Sequence, residues 1–270
     1  MSEEHLTDGW EPDLPVSDTL LRRFLFNLAA FHEVPAAAGA RTLRRDDFTA
    51  ADLGRPAAMH NAATLLRPLP FDRPGDTLDA VEEFFGGGRG EAYLWSAWPT
   101  PDLRTRGWVL EGHPPLLLRS PGSGPPPPGA PPGLRVERVT GVAGLRDWER
   151  VAVDGFPYRE LQPYRPGALL EEPVLGDQRL RLWVGYEGER PVCVGSLFVA
   201  FGVAAFSLGV TLPEARRRGY WAAMAGVRLL EEPGLPAVGI FSDMSRPSAE
   251  ALGFLPITRF ALWHRPRPAR

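Results

Sequence analysis

Three consecutive arginines and a glycine, Arg216-Arg217-Arg218-Gly219, stand between an apolar run and a helical pattern. Ser207 to Leu212 reads as the end of a strand, and Pro213 and Glu214 sit in a turn. Tyr220, Ala223, Met224, Val227 and Leu230 then recur at helical spacing, which predicts a helix with one apolar face. A helix start carries about half a positive charge, so a cation there is disfavoured by about 0.3–1 kcal/mol. Three cations there mean either a solvated, indifferent turn or a turn with an anion to hold. Gly219 lets a ligand approach the main chain closely. Free N–H groups at a helix start, with guanidinium groups beside them, suit a phosphate. Charge and spacing alone leave both readings open.

Other chemistries find less support. The five histidines, His5, His32, His60, His113 and His264, are scattered, and there is no cysteine pair, so no metal site is expected. Neither a Gly-x-Ser-x-Gly elbow nor a Gly-Lys-Ser/Thr loop occurs. Cys193 lies in an apolar run and reads as a buried thiol rather than an acyl carrier.

The stretch around the arginines resembles the acetyl-CoA signature of the GCN5-related N-acetyltransferases (GNAT). There a strand ending in Val-x-x-Pro leads to Arg/Gln-x-x-Gly-x-Gly/Ala at a helix start. Val210 to Pro213 and Arg216 to Tyr220 fit this pattern; Trp221 stands at the Gly/Ala position and is followed by Ala222. A second motif, Ala249-Glu250-Ala251-Leu252-Gly253-Phe254, is similar to the family's closing Tyr-x-x-Leu-Gly-Phe, with Ala249 in the tyrosine's place.

The resemblance implies an α/β mixed sheet of the acyl-CoA N-acyltransferase fold. Acetyl-CoA is then the cosubstrate, and a small-molecule or peptide amine is the acceptor. Main-chain groups of Gly209, Val210, Thr211 and Leu212 would hold the pantetheine arm. Arg216, Arg217, Arg218, Gly219, Tyr220, Trp221 and Ala222 would take the phosphates. Acetyl transfer also needs a donor at the thioester carbonyl and a way to take a proton from the amine. Ala249 has no proton to give. Ser242 and Asp243, at a strand end near the expected thioester, are the candidates for that chemistry, although such residues more often cap the next helix. Tyr158 and Tyr164 lie in a loop that would line the acceptor site. A non-catalytic acetyl-CoA-binding or regulatory protein is the alternative that Ala249 and Trp221 suggest.

Elements able to position these residues can be read along the chain. Leu20–Phe31 carries a helical stripe that Ser17 or Asp18 would cap, and Thr42–Leu53 reads as a charged connection. Asn61–Pro70 reads as a strand, followed by a short helix capped by Asp76 or Thr77. Gly86–Gly90 reads as a helix-to-strand turn. Gly107-Trp108 and the apolar Leu116–Leu118 echo Gly253-Phe254 and its final strand. Residues 1–119 thus resemble a degenerate first copy of the fold, 120–133 a Pro/Gly-rich linker, and 134–270 the complete copy. Polyproline is extended and cannot enter a core sheet, so the linker is expected to be a spacer. In the second copy a strand begins at Leu134, helices are expected at Leu145–Phe156 and Ala168–Val174, and Leu180–Tyr186 alternates as a strand. Pro191 to Pro213 carries no charge, but its glycines favour two buried strands joined near Gly202 over a membrane span. A strand at Val238–Ser242, a helix at Pro247–Leu252 and a last strand at Ile257–Trp263 complete the order.

The 270 residues suffice for one large domain or two smaller ones. Every one of the 30 basic residues is arginine, and the abundance of Ala, Gly and Pro suggests a GC-rich bacterial genome. A net charge of −3 gives no overall attraction to nucleic acid or to an anionic membrane. One cysteine and a polar, acidic N-terminus suggest a cytoplasmic protein. A homodimer is left open.

Overall fold

The computed structural model describes residues 16–34, 40–55, 57–70, 72–88, 90–156 and 158–266. The first apolar stripe forms α1 (Val16–Glu33), with Leu20, Phe24, Leu25 and Leu28 buried. The side chains of Ser17 and Asp18, the expected caps, lie outside the described residues. The charged stretch that reads as a connection is instead a hairpin of β1 (Arg41–Arg44) and β2 (Phe48–Asp52). β1 is an edge strand with mostly exposed side chains, and β2 buries Phe48, two alanines and Asp52, so no strong apolar alternation marks either.

β3 (Asn61–Leu65), α2 (Pro74–Gly86) and β4 (Ala92–Ser96) follow, with the glycine-rich run as the expected turn between helix and strand. α2 opens on Pro74 rather than on a cap at Asp76 or Thr77. Proline suits the first helical position, where its missing N–H costs nothing, and the Thr77 hydroxyl donates to Asp47 instead, at 2.7 Å. β5 (Val109–Gly112) and β6 (Pro115–Arg119) close the first half.

The second half runs β7 (Leu134–Arg138), α3 (Val142–Gly155), β8 (Leu180–Glu187), β9 (Arg190–Ala200), β10 (Val203–Thr211), α4 (Tyr220–Glu231), β11 (Ala237–Ile240), α5 (Arg246–Ala251), β12 (Leu255–Arg259) and β13 (Ala261–Arg265). The uncharged run is the β9–β10 hairpin, as its glycines suggest. No described helix is long and apolar enough to cross a membrane.

The α-helix expected at Ala168–Val174 does not form; a short 3-10 turn, Glu172–Gly176, overlaps its end. Glu149 of α3 is fully buried, and its carboxylate accepts the N–H groups of Gly167, Leu169 and Leu170, each at 2.9 Å. Those donors are committed to a charged acceptor, a stronger bond than a helix would give them.

Two sheets result, in the orders β1-β2-β3-β4-β13-β5 and β12-β6-β11-β10-β9-β8-β7. Each half lends its closing strand to the other. β6 lies between β11 and β12, and β13 between β4 and β5. The expected last strand, Ile257–Trp263, is therefore two strands in two sheets. The break is Phe260, a single residue with no exposed surface that packs edge-on to Phe24 of α1. The boundaries 1–119 and 134–270 follow the chain, whereas the sheets cross them.

The linker is extended but is not a free spacer. Arg119 donates to the carbonyls of Ser123 and Pro125, both at 2.8 Å. A Cβ on Gly226, in the middle of α4, would overlap the Pro128 carbonyl, and one on Gly253 would stand 2.7 Å from the Gly124 Cα. Only glycine admits the strap at these points. α4 is consequently covered on two sides: Ala225 and Gly226 are buried, while Leu230, expected to face inward, is 63% exposed.

Candidate active site

β10 and β11 run parallel and pair only over Ala204–Phe206 and Ala237–Gly239. Past that point β10 bulges. Its ladder with β9 shifts register between Ser207 and Val210, and Leu208 takes a left-handed angle of φ 44°. Val210 and Thr211 then pair with β9 alone. The two parallel strands part at their C-terminal ends, and among the described residues no strand pairs with β10 on that side from Ser207 onward.

The turn above this opening presents main-chain donors. Gly219 is the N-cap of α4 at φ 79°, ψ 0°. The helix makes its first main-chain bond from Ala223 N–H to the Gly219 carbonyl, 3.0 Å. Among the described residues, the N–H groups from Arg217 to Ala222 have no main-chain acceptor. Such a row of donors at the positive end of a helix fits a phosphate group.

The three arginines divide. Arg216 turns back and donates to the carbonyls of Thr211 (3.1 Å) and Gly155 (3.4 Å), tying the end of β10 to the end of α3. Arg218 forms a two-pronged pair with Glu187, at 2.9 and 2.5 Å, and lies over the Tyr220 ring. Its hydrogen bond holds the Glu187 carboxyl below the usual range. Arg217 is exposed, has φ 62° and has no side-chain partner among the described residues. One guanidinium, not three, is thus free beside the N–H row.

Trp221 is half-buried. Its ring centre lies 6.3 Å from that of Phe241, just past β11, and its Nε1 lies 3.7 Å from where a Cβ on Gly209 would be. The indole thus reaches from the bulge of β10 to the end of β11. Ala222 is half-buried in the same turn. Ala249 is fully buried in the core between α4 and α5. Ser242 and Ser245 bond one another, with Ser245 N–H donating to Ser242 Oγ at 3.1 Å; this closes the turn that leads into α5, whose N-cap Ser245 makes no side-chain cap bond of its own. Asp243 pairs with Arg259 at 2.9 Å, and this bond holds its carboxyl below the usual range, making it a weak base. Arg259 also lines an open cleft of about 750 Å³ between the halves, with Trp98, Arg104, His113 and Trp263.

On the opposite face of the second sheet, Tyr158 stacks near Phe156, ring centres 5.1 Å apart, and burial pushes its hydroxyl pKa up. Tyr164 is turned inward; its hydroxyl donates to the Arg146 carbonyl at 3.2 Å. Burial pushes the Cys193 thiol up to about 12, so it is no nucleophile. No group of three metal-ligating side chains occurs among the described residues.

Parting parallel strands beside an unbonded helix start compare with solved structures as follows. A GCN5-related N-acetyltransferase from Kribbella flavida superposes with a TM-score of 0.65 at 18% identity, over 91% of this chain and 95% of that one. A tandem GNAT protein from the clavulanic acid biosynthesis pathway gives 0.55 at 14%, over 94% and 96%. A GCN5-related N-acetyltransferase-like protein from Streptococcus suis gives 0.55 at 12%, over 89% and 98%. The fold is that of the GCN5-related N-acetyltransferases. No family sequence model and no curated protein matches the chain. Near-complete coverage of a tandem GNAT protein means that both halves take part in the likeness.

Three residues that sequence reasoning did not single out matter in this GNAT fold. Glu149 pins the loop after α3, and Phe241 meets Trp221. Arg228 is 2% exposed on α4. The sequence carried one signal for it: position 228 is four residues past the inward Met224, so a charge falls on the apolar face.

Proposed function

We propose that the second half binds acetyl-CoA at the opening between β10 and β11 and transfers the acetyl group to an amine. One observation carries the reading: the strands part directly below a helix start whose N–H groups are unclaimed. Gly209, Val210, Thr211 and Leu212 would line the pantetheine arm. The N–H groups from Arg217 to Ala222, with the Arg217 guanidinium, would hold the pyrophosphate. Acetyl-CoA supplies an activated acyl group. The chain's own part is to hold the thioester against the unpaired main chain of β10 and to keep water from it with Trp221 and Phe241. The acceptor, a small-molecule or peptide amine, would enter from the side of Tyr158. The lone buried thiol is in keeping with a reducing, cytoplasmic setting, and neither metal nor nucleic acid is required.

A second reading rests on Ala249 and Asp243. The first cannot donate a proton, and the second is a weakened base, which together favour a protein that binds acetyl-CoA without turnover. Calorimetry with CoA and acetyl-CoA, followed by thiol release with a panel of amines, decides. Binding with turnover supports the first reading and binding alone the second. No heat at millimolar CoA overturns both.

A further inference from the structure

Arg228 is a buried cation without a buried anion. Its Nε donates to the Met224 carbonyl at 3.1 Å and its Nη1 to the Ser196 carbonyl at 3.3 Å. Its carbon Cζ lies 4.2 Å from the centre of the Phe206 ring. No carboxylate pairs with it among the described residues. The one titratable group whose charge reaches it is Cys193, which burial keeps neutral. Taking a guanidinium out of water without a partner is expensive, and burial accordingly lowers its pKa to about 9.

The chain is shaped to bring this cation to one place. A Cβ on Gly195 would stand 3.0 Å from Arg228 Cζ, and one on Gly209 would stand 3.3 Å from Nη2. Gly209 belongs to the bulge where β10 loses register with β9, beyond the last residue that pairs with β11. Arg228 Nη2 and Trp221 Nε1, neither with a side-chain or carbonyl acceptor among the described residues, both point to the same glycine.

We propose that Arg228 is the positive charge that stabilises the departing sulfur in this GNAT fold, in place of the proton donor that Ala249 cannot be. The inference rests on the reading that acetyl-CoA lies along Gly209–Leu212. In the transfer, the amine nitrogen forms a bond to the acetyl carbon, the carbon–sulfur bond breaks, and its electron pair stays on sulfur. The amine proton leaves to water, and the thiolate is later protonated from water. A fixed cation close to that sulfur in a water-poor site lowers the energy of the thiolate without transferring a proton. Near neutral pH, below its lowered pKa of about 9, Arg228 is charged and acts as a positioning charge.

The test reads the ionisation of bound CoA itself. Calorimetry first establishes binding of CoA to the wild-type protein and to Arg228→Met and Arg228→Lys. Thiolate absorbance of the bound CoA is then followed against pH, with the same protein without CoA as the baseline for Cys193 and the tyrosines. The expected result is a thiol pKa about one unit or more below that of free CoA in the wild type. That shift should vanish in Arg228→Met and persist in part in Arg228→Lys. An unshifted thiol in the wild type, or a full shift in Arg228→Met, overturns the role of Arg228 while leaving the binding site intact. Absence of CoA binding to the wild type overturns both. If Arg228→Met does not fold, the wild type against Arg228→Lys still decides, because free-CoA behaviour in the wild type alone defeats the proposal.

Discussion

Both halves of the chain carry the same run of elements: strand, helix, strand, short turn, Gly-aromatic and two closing strands. In the second half the strand before the helix is bulged at Leu208-Gly209, and its helix starts on a left-handed glycine with unclaimed N–H groups. In the first half, β3 pairs with β2 in unbroken register from Asn61 to Leu65. Its helix starts on Pro74, which has no N–H to offer, beneath an N-cap arginine. The fold is common to both, but the means of holding an anion is present in one. A bulge and a glycine, rather than the sheet, separate the proposed binding site from its counterpart in the first half.

The largest expected effect concerns whether the halves are separable at all. Residues 134–270 look self-sufficient in sequence. The fragment loses β6 from between β11 and β12, and with it Leu116, Leu117 and Leu118, all buried. The fragment should show no cooperative thermal transition by circular dichroism, whereas the full chain should. A sharp transition in the fragment would mean that two independent domains are being compared.

Next in size is Trp221→Ala. The half-buried ring packs against Phe241 and the core. Its loss should destabilise by about 2 kcal/mol, less than the 3–5 typical of a fully buried tryptophan, and should change CoA affinity. Urea unfolding and calorimetry read both quantities. Unchanged affinity would remove Trp221 from the site.

Gly219→Ala should cost about 1–2 kcal/mol, because a Cβ strains a left-handed residue, and should weaken CoA binding. The counterpart change in the first half, Pro74→Gly, should create no CoA site. If Gly219→Ala binds CoA as the wild type does, the helix start is not what distinguishes the halves.

The smallest effect sharpens the arginine assignment. Arg217→Ala should reduce CoA affinity by about threefold, an exposed ion pair being worth about 0.2–1 kcal/mol, and added salt should erase the difference. Arg218→Ala should leave affinity unchanged, since Glu187 already occupies that guanidinium. Equal losses in the two variants would mean that Arg218 lets go of Glu187 when the ligand arrives.

Much of this was legible in the residues. Strict alternation over Leu180–Tyr186, the glycine-divided uncharged run and the Arg-x-x-Gly turn led to the right elements in the right order. The hairpin at Arg41–Asp52 was hidden because an edge strand does not need an apolar face and alanines make a weak one. The strand exchange was invisible, because Thr258 to Ala261 reads as continuous strand and nothing local says that Phe260 passes from one sheet to another. In sequence the arginines stand as a group, and their division depends on Glu187, Thr211 and Gly155, partners up to 61 residues away. Arg228 does not stand out in sequence because its apolar surroundings are assembled from β9, β10 and α4.

The seat of β13 also fixes an order of events during synthesis. Among the described residues β5 pairs only with β13, and β4 waits for β13 on one of its edges. Residues 261–265 leave the ribosome only after every strand from β7 to β12. The sheet that holds β1 to β5 is therefore begun before β7 to β12 are made and completed after them, and until β13 arrives it must hold an open sheet edge away from its neighbours.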